Sequence, residues 1–169
     1  PLGSFIDGVH VFDGLTYTFP QTSSKRYWSM TFYNTEIMEQ AGYDLEAERL
    51  TWDQFREAAR VVTEQGQGQY YGLILGGQSA DRFGTYVRNL ARMAGASSGG
   101  SVGFDDIDWR TGEFVYTSDE YLAAIELLMA INDDGSIFPG SMSLSEAEAR
   151  AQFPQGVAGM ILEGPWNIP

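Results

Sequence analysis

Residues 51–77, TWDQFREAARVVTEQGQGQYYGLILGG, decide the fold because they join an amphipathic helix to a buried strand. Thr51 and Gln54 form a capping box, which predicts that a helix begins there. Apolar residues recur at helical spacing through the segment, at Trp52, Phe55, Ala59 and Val62. The run YYGLILGG after the helix is typical of a buried strand. The stretch therefore predicts an α/β unit.

The rest of the chain repeats this alternation of strands and helices. FDGLTYTFP and YWSMTFYN predict short strands, VAGMIL predicts the last strand, and a turn at residues 110–112 predicts a hairpin. TEIMEQAG predicts a short helix, and Ser145 and Glu148 offer a second capping box. Such alternation predicts a mixed sheet, at least partly parallel, flanked by helices.

Two further helices are predicted from apolar spacing. The helix in SADRFGTYVRNLARMAG has a buried side that comprises Phe83, Tyr86, Val87, Leu90 and Ala94. The other helix should be capped by Thr117 and Glu120. Its apolar stripe would comprise Tyr121, Leu122, Ile125, Leu128 and Met129.

Composition excludes several classes of function. The formal net charge of -13 argues against a nucleic-acid surface, because phosphate binding depends on clustered Lys and Arg, and against docking on an anionic membrane. There is no apolar stretch of the length that a membrane span needs, so we expect no membrane insertion. The chain has no Cys and one His, His10, so no thiolate or imidazole metal site is expected. We expect no bound cofactor either.

Candidate sites based on carboxylates are numerous but none is singled out. The acidic segment DDIDWRTGE fails the calcium-loop pattern and predicts a hairpin turn. Two of the many Asp and Glu residues could lie at glycosidase distance, but solvation is the favoured interpretation for those on the polar faces of the helices, such as Glu36 and Asp53. The glycines fit no dinucleotide or phosphate fingerprint.

Aromatic residues at the ends of elements are the more informative signal. Trp28 opens a predicted strand, Tyr33 closes it, and Trp166 follows another strand in a Gly-Pro turn. Ligands of α/β proteins bind at strand ends, and aromatic faces there can stack on the apolar face of a sugar. Packing in the core is the alternative for each of these aromatics.

Five motifs, in this order and spacing, resemble the extracellular solute-binding proteins of carbohydrate ABC importers (family 1, maltose-binding-protein-like). They are DGLTYTFP, TFYNTEIMEQAGYD, LTWDQFREAARVVTE, YYGLILGG and AQFPQGVAGMILEGPW, and they extend from about residue 12 to residue 167. The loop QTSSKRYWS departs from the pattern because it is longer or more basic than in the family.

The resemblance implies an α/β fold of the periplasmic-binding-protein-like type (type II), in which each lobe has a mixed sheet flanked by helices and two lobes close over a ligand. Residues 5–169 would form most of the C-terminal lobe, cut from a larger protein, and PLGS at residues 1–4 would be the remnant of an expression tag. The full protein would lie outside the cell or in the periplasm, as a membrane-anchored lipoprotein. It would bind a carbohydrate and deliver it to ABC permease subunits, without catalysis.

The resemblance also implies which residues contact the ligand. Trp166 matches the family's sugar-stacking tryptophan. Other candidates lie at the start of the SADRFGTY helix and in the segment after Pro20; they are Asp81, Arg82, Phe83, Tyr27 and Trp28. Two alternatives stay open: a glycoside hydrolase domain with two carboxylates, and an aromatic-rich module that binds a protein partner.

Overall fold

A three-stranded mixed sheet with the strand order β3-β7-β4 organises the protein. The structure is a computed structural model that describes residues 5, 7–8, 10–18, 30–46, 49–96, 106–108 and 111–164. The central strand β7 (Ala158–Glu163) pairs antiparallel with β3 (Met30–Tyr33) and parallel with β4 (Tyr71–Ile74). The predicted mixed sheet is confirmed.

Five α-helices surround this sheet: α1 (Thr35–Gln40), α2 (Trp52–Gly66), α3 (Ala80–Met93), α4 (Asp119–Asp133) and α5 (Glu146–Gln152). Short 3-10 helices at Ser141–Ser143 and Phe153–Gln155 flank α5. Two small hairpins complete the described part, β1 (Val11–Phe12) with β2 (Leu15–Thr16), and β5 (Ile107–Asp108) with β6 (Glu113–Phe114).

The sheet separates two apolar cores. Residues of β4 and β7 alternate between them, so that Leu73 and Met160 pack on one side and Ile74 and Ile161 pack on the other. Helices α1 to α4 cover the larger core, and α5 with its flanking segments covers the smaller one. The four side chains of β4 and β7 named above are almost completely inaccessible to solvent. This layering is the fold class expected from the sequence.

The contact between α2 and β4 depends on a glycine. A Cβ atom at Gly72 would lie 2.2 Å from the backbone oxygen of Ala59 on α2. The Gly72 N–H instead donates to Thr63 Oγ1 at 2.8 Å, and that hydroxyl donates to the Ala59 carbonyl at 2.8 Å. Gly72 therefore allows a helix and a strand to approach each other directly.

Several helix signals are confirmed in detail. The Thr51 side chain accepts from Gln54 N–H, and the Gln54 side chain accepts from Thr51 N–H, so α2 has the predicted capping box. Ser145 and Glu148 form the same box at α5. Both boxes satisfy backbone N–H groups that the helix itself leaves without partners.

The start of α4 was predicted one residue too early. Ser118, not Thr117, is the N-cap, and its side chain accepts from Tyr121 N–H. The sequence TSDEY permits both positions, because Thr117 and Ser118 are both good caps and only the Thr117 choice places Glu at the third helical position. The Thr117–Glu120 capping box is therefore wrong.

The predicted stripe of α4 is only partly correct. Tyr121 and Leu128 are buried, whereas Leu122, Ile125 and Met129 are exposed. Ala124, Leu127 and Ile131 take the inward face in their place. The prediction failed because α4 itself carries apolar residues on every side, so that their spacing does not define a single buried face. Similarly, Ala91 rather than the exposed Ala94 completes the buried side of α3.

Candidate functional site

The carboxyl ends of the two parallel strands lie at one edge of the sheet. Ile74 pairs with Ile161, so Gly76 after β4 and Glu163 at the end of β7 come to the same edge. Helix α3 begins there, at Ala80. Carboxyl ends of strands in open α/β sheets are the usual position of ligand sites. This edge is therefore the candidate site.

Helix α5 begins against the same edge. A Cβ atom at Gly76 would lie 2.5 Å from the Glu146 Cα atom, so only glycine leaves room for the first residue of α5. Gly76 is also held from α3, because its N–H donates to the Tyr86 hydroxyl at 3.2 Å. These contacts place Glu146 beside the end of β7.

Charged and polar side chains from α3, α5 and β7 meet at this edge and form what we call the strand-end cluster. It comprises Arg82, Tyr86, Glu146, Arg150 and Glu163. Arg82 forms an ion pair with Glu146 Oε2, and Arg150 Nη2 lies 3.6 Å from Glu146 Oε1. The Glu146 side chain retains only 15% of its exposure. Each oxygen of this carboxylate thus faces an arginine, one from α3 and one from α5 itself.

Glu163 is the most buried charged residue of the cluster, at 4% exposure. It forms a hydrogen bond with the Glu146 side chain, and its Oε2 accepts from Gly164 N–H at 3.4 Å. Burial, and then the negative charge of Glu146, raise the pKa of Glu163 to about 7, and Arg150 opposes this shift. A carboxyl group that is buried beside another carboxylate resists ionisation in this way.

Tyr86 lies at the inner side of the cluster and is 3% exposed. Its pKa is raised first by burial and further by the charge of Glu163, while the Gly76 hydrogen bond and Arg82 lower it. The phenol is therefore neutral at physiological pH and serves as a hydrogen-bonding group. It connects α3 to the end of β4.

Glu146 and Glu163 do not have the spacing of a glycosidase pair. Glycosidase carboxyl groups are about 5 Å or more apart because the scissile bond lies between them. Glu146 and Glu163 are hydrogen-bonded to each other, which leaves no space for a substrate between them. Within the described residues, no group of three or more His, Cys, Asp or Glu side chains could hold a metal ion.

The structure brings only part of the predicted ligand set to this edge. Arg82 belongs to the strand-end cluster, and Asp81 lies exposed beside it in the first turn of α3. Phe83 is half-buried and packs against the larger core, so that core packing remains the alternative to a ligand contact for this side chain. Tyr27, Trp28 and Trp166 lie outside the described residues, so their roles stay predictions.

Glu146 and Glu163 were not singled out from the sequence. A weak signal was present at Glu163, since a single charged residue ends the apolar run VAGMIL. Glu146 stands in the first turn of a capped helix, where a carboxylate is common for helix stability alone. Nothing in one sequence indicates that Glu146 pairs with Arg82 and lies beside Glu163.

A separate apolar cavity of about 300 Å³ lies on the larger-core side of the sheet. Residues from β3, α2, α3, α4 and β7 line it, together with Leu45, Arg49 and Leu50. Apart from Arg49 and Thr31, the lining side chains are predominantly apolar, and they include Tyr33, Trp52, Met160 and Leu162.

The described fold is an α/β layer that has a polar cluster at its strand ends, where ligands of open α/β sheets usually bind. The sequence profile of the bacterial extracellular solute-binding proteins matches residues 3–168. The chain belongs to that family. The resemblance recognised from the five motifs, and the fold class that it implied, are thereby confirmed.

Individual relatives agree with this assignment. A binding protein of Brucella abortus (strain 2308) is 26% identical over 177 residues, which cover 97% of this chain and 37% of the relative. A family 1 extracellular solute-binding protein from Bifidobacterium longum subsp. infantis is 25% identical, with a TM-score of 0.62, over 95% of this chain and 38% of that one.

A chitin oligosaccharide binding protein is also 25% identical, with a TM-score of 0.63, over 93% of this chain and 36% of that chain. In each comparison the chain spans little more than a third of the relative's length.

None of the helices in the described ranges is long and apolar enough to cross a membrane.

Proposed function

We propose that this chain forms one lobe of a two-lobed receptor that binds a mono- or oligosaccharide and delivers it to an ABC permease. The observation that supports this most directly is the position of Arg82, which belongs to the strand-end cluster and follows Asp81 in the first turn of α3, at the edge where ligands of α/β sheets usually bind. Family membership supports the receptor role. We further propose that the receptor acts without catalysis, outside the cell or in the periplasm, as a lipid-anchored protein.

The binding mode follows from the chemistry of sugars. Sugar hydroxyls are recognised by directed hydrogen bonds from charged and polar side chains, and the ring's C–H face is recognised by aromatic stacking. We assign the first task to Arg82 and Asp81. We assign the second to Trp166, two residues beyond Gly164, with Tyr27, Trp28 and Phe83 as further contacts.

The share of the relatives that the chain covers supports the two-lobed proposal, with residues 5–169 as one lobe. A lobe that contributes half of a cleft makes only half of the contacts. Closure of the second lobe supplies the others and signals occupancy to the permease. The isolated chain should therefore bind sugar much more weakly than the two-lobed protein.

The proposal is tested by a thermal-shift screen of the two-lobed protein against a saccharide library that includes N,N′-diacetylchitobiose. A ligand that binds only the native state raises the unfolding midpoint by mass action, by an amount that grows with its concentration. A saccharide that produces such a shift supports the proposal. If no saccharide does so while amino acids or peptides do, the proposed ligand class is wrong.

Arg82 can be tested separately from the fold. Arg82→Lys keeps a positive charge near Glu146 but loses the planar fork of donors that binds neighbouring hydroxyls or carboxylates in pairs. We expect weaker sugar binding with an unchanged unfolding midpoint in the absence of sugar. Arg92→Lys, on the last turn of the same helix, is the matched control and should leave affinity unchanged.

A further inference from the structure

One carboxylate joins three elements at the candidate site. Glu146 is the first residue of α5. Its Oε2 atom forms an ion pair with Arg82 of α3, and its Oε1 atom lies 3.6 Å from Arg150 Nη2. Glu146 is also hydrogen-bonded to Glu163 at the end of β7. Because Gly76 holds the start of α5 against β4, Glu146 cannot withdraw without moving that helix.

Electrostatics requires a proton in this arrangement. Two carboxyl groups that contact each other away from water cannot both ionise at low cost, so one of them keeps its proton and donates it to the other. Glu163 is the more buried of the two, at 4% exposure. The charged and titratable groups around it are Glu146 and Arg150 from α5, and Tyr86 and Arg82 from α3.

Loss of that proton would place a second negative charge beside Glu146. Arg150 would then be shared between two carboxylates, and the contact between α5 and the end of β7 would change from attraction to repulsion. Gly164 would be affected directly, because its N–H donates to Glu163. Arg82 would be affected through Glu146.

We propose that Glu146 and Glu163 are positioning residues that share one proton, and that this shared proton holds Arg82 and Gly164 in place at the ligand-facing edge. Neither glutamate need contact the sugar. If the chain binds a sugar as proposed above, the sugar affinity should fall as the pH rises through neutrality. This consequence rests on the proposed function. The positioning itself is a property of the chain alone.

Amide NMR of the chain tests the positioning without any sugar. Between pH 5.5 and pH 8.5, the resonances of Gly164 and Gly76 and the Arg82 side-chain N–H should shift with one common midpoint near neutral pH. Glu163→Gln should abolish this titration, because glutamine donates to Glu146 at every pH. Glu126→Gln, at an exposed position of α4, is the control and should leave it unchanged.

A second variant separates a positioning role from a merely structural one. Glu146→Gln removes the negative charge that opposes ionisation of Glu163, so the common midpoint should move to lower pH rather than disappear. Its remaining amide resonances show whether the fold is retained. If the two glycines and Arg82 do not titrate together in the parent chain, or if Glu163→Gln leaves their titration intact, the proposal is overturned.

Calorimetry of the two-lobed protein with N,N′-diacetylchitobiose tests the consequence. The affinity of the parent protein for this sugar should be about fivefold weaker at pH 8.5 than at pH 6, which is a typical size for the coupling between a proton site and a ligand site. The affinity of Glu163→Gln should not depend on pH. A pH-independent affinity in the parent protein overturns this consequence. Failure of this sugar to bind at any pH counts against the proposed ligand, and the amide titration still decides the positioning.

Discussion

Replacement of Glu163 by glutamine should stabilise the chain, and increasingly so as the pH rises. Burial beside Glu146 raises the pKa of Glu163 in the folded chain to about 7, above the ordinary value of 4.5. The folded state therefore holds this proton more tightly than the unfolded state does. The contribution to stability is fully present below pH 4.5 and is lost progressively as the pH rises to about 7.

The size of the effect follows from the shift. One pKa unit corresponds to about 1.4 kcal/mol, so the full loss is on the order of 3 kcal/mol. Between pH 5.5 and pH 8.5 the chain should lose about 2 kcal/mol relative to Glu163→Gln. Glutamine has nearly the shape of a protonated glutamic acid and can donate to Glu146 while accepting from Gly164 N–H, so the variant keeps both hydrogen bonds.

The assay is urea unfolding at pH 5.5, pH 7 and pH 8.5, with the free energy of unfolding extrapolated to water. Glu126→Gln controls for the general effect of removing one negative charge from a chain of net charge -13. The difference between Glu163→Gln and the parent should widen with pH, and the difference for Glu126→Gln should not. Parallel pH profiles for all three proteins would refute the account of Glu163.

Two pairs of matched variants test the account of the fold. Ser118→Ala should cost about 1 kcal/mol of unfolding free energy, whereas Thr117→Ala should cost little, because only Ser118 caps α4; equal costs in urea unfolding would contradict the assigned cap. Gly72→Ala should destabilise the chain by about 3 kcal/mol or more, because its Cβ would overlap the Ala59 backbone. Gly84 on α3 has room for a Cβ atom, which would lie 3.8 Å from Arg88 Nη1, so Gly84→Ala should be neutral or stabilising by up to about 1 kcal/mol. A comparable loss in both glycine variants would contradict the close contact at Gly72.

Much of the fold was predictable because local signals determine it. The capping boxes at Thr51 and Ser145 depend on side chains three residues apart, and the apolar runs of β4 and β7 are continuous. The start of α4 was less certain because Thr117 and Ser118 compete as caps. Its buried face was misassigned because Leu122 and its neighbours give the helix apolar residues on every side.

The site was less predictable because its charges come from distant parts of the chain. Arg82 and Glu146 are brought together by the parallel pairing of β4 and β7 and by the glycine that admits α5. A single sequence does not show which strands pair with each other. Family resemblance indicated the start of α3, and so it found Arg82, but it did not indicate the buried Glu163.

The most direct test of the central claim is calorimetric titration of N,N′-diacetylchitobiose and the strongest ligands of the saccharide screen into the two-lobed protein and its Trp166→Ala variant. The account predicts saturable binding by the parent protein and at least about tenfold weaker binding by the variant, about 1.4 kcal/mol, with an unchanged unfolding midpoint without sugar. Saccharide binding that is unaffected by Trp166→Ala would contradict the assigned stacking residue. The absence of binding by any saccharide would contradict the proposed function itself.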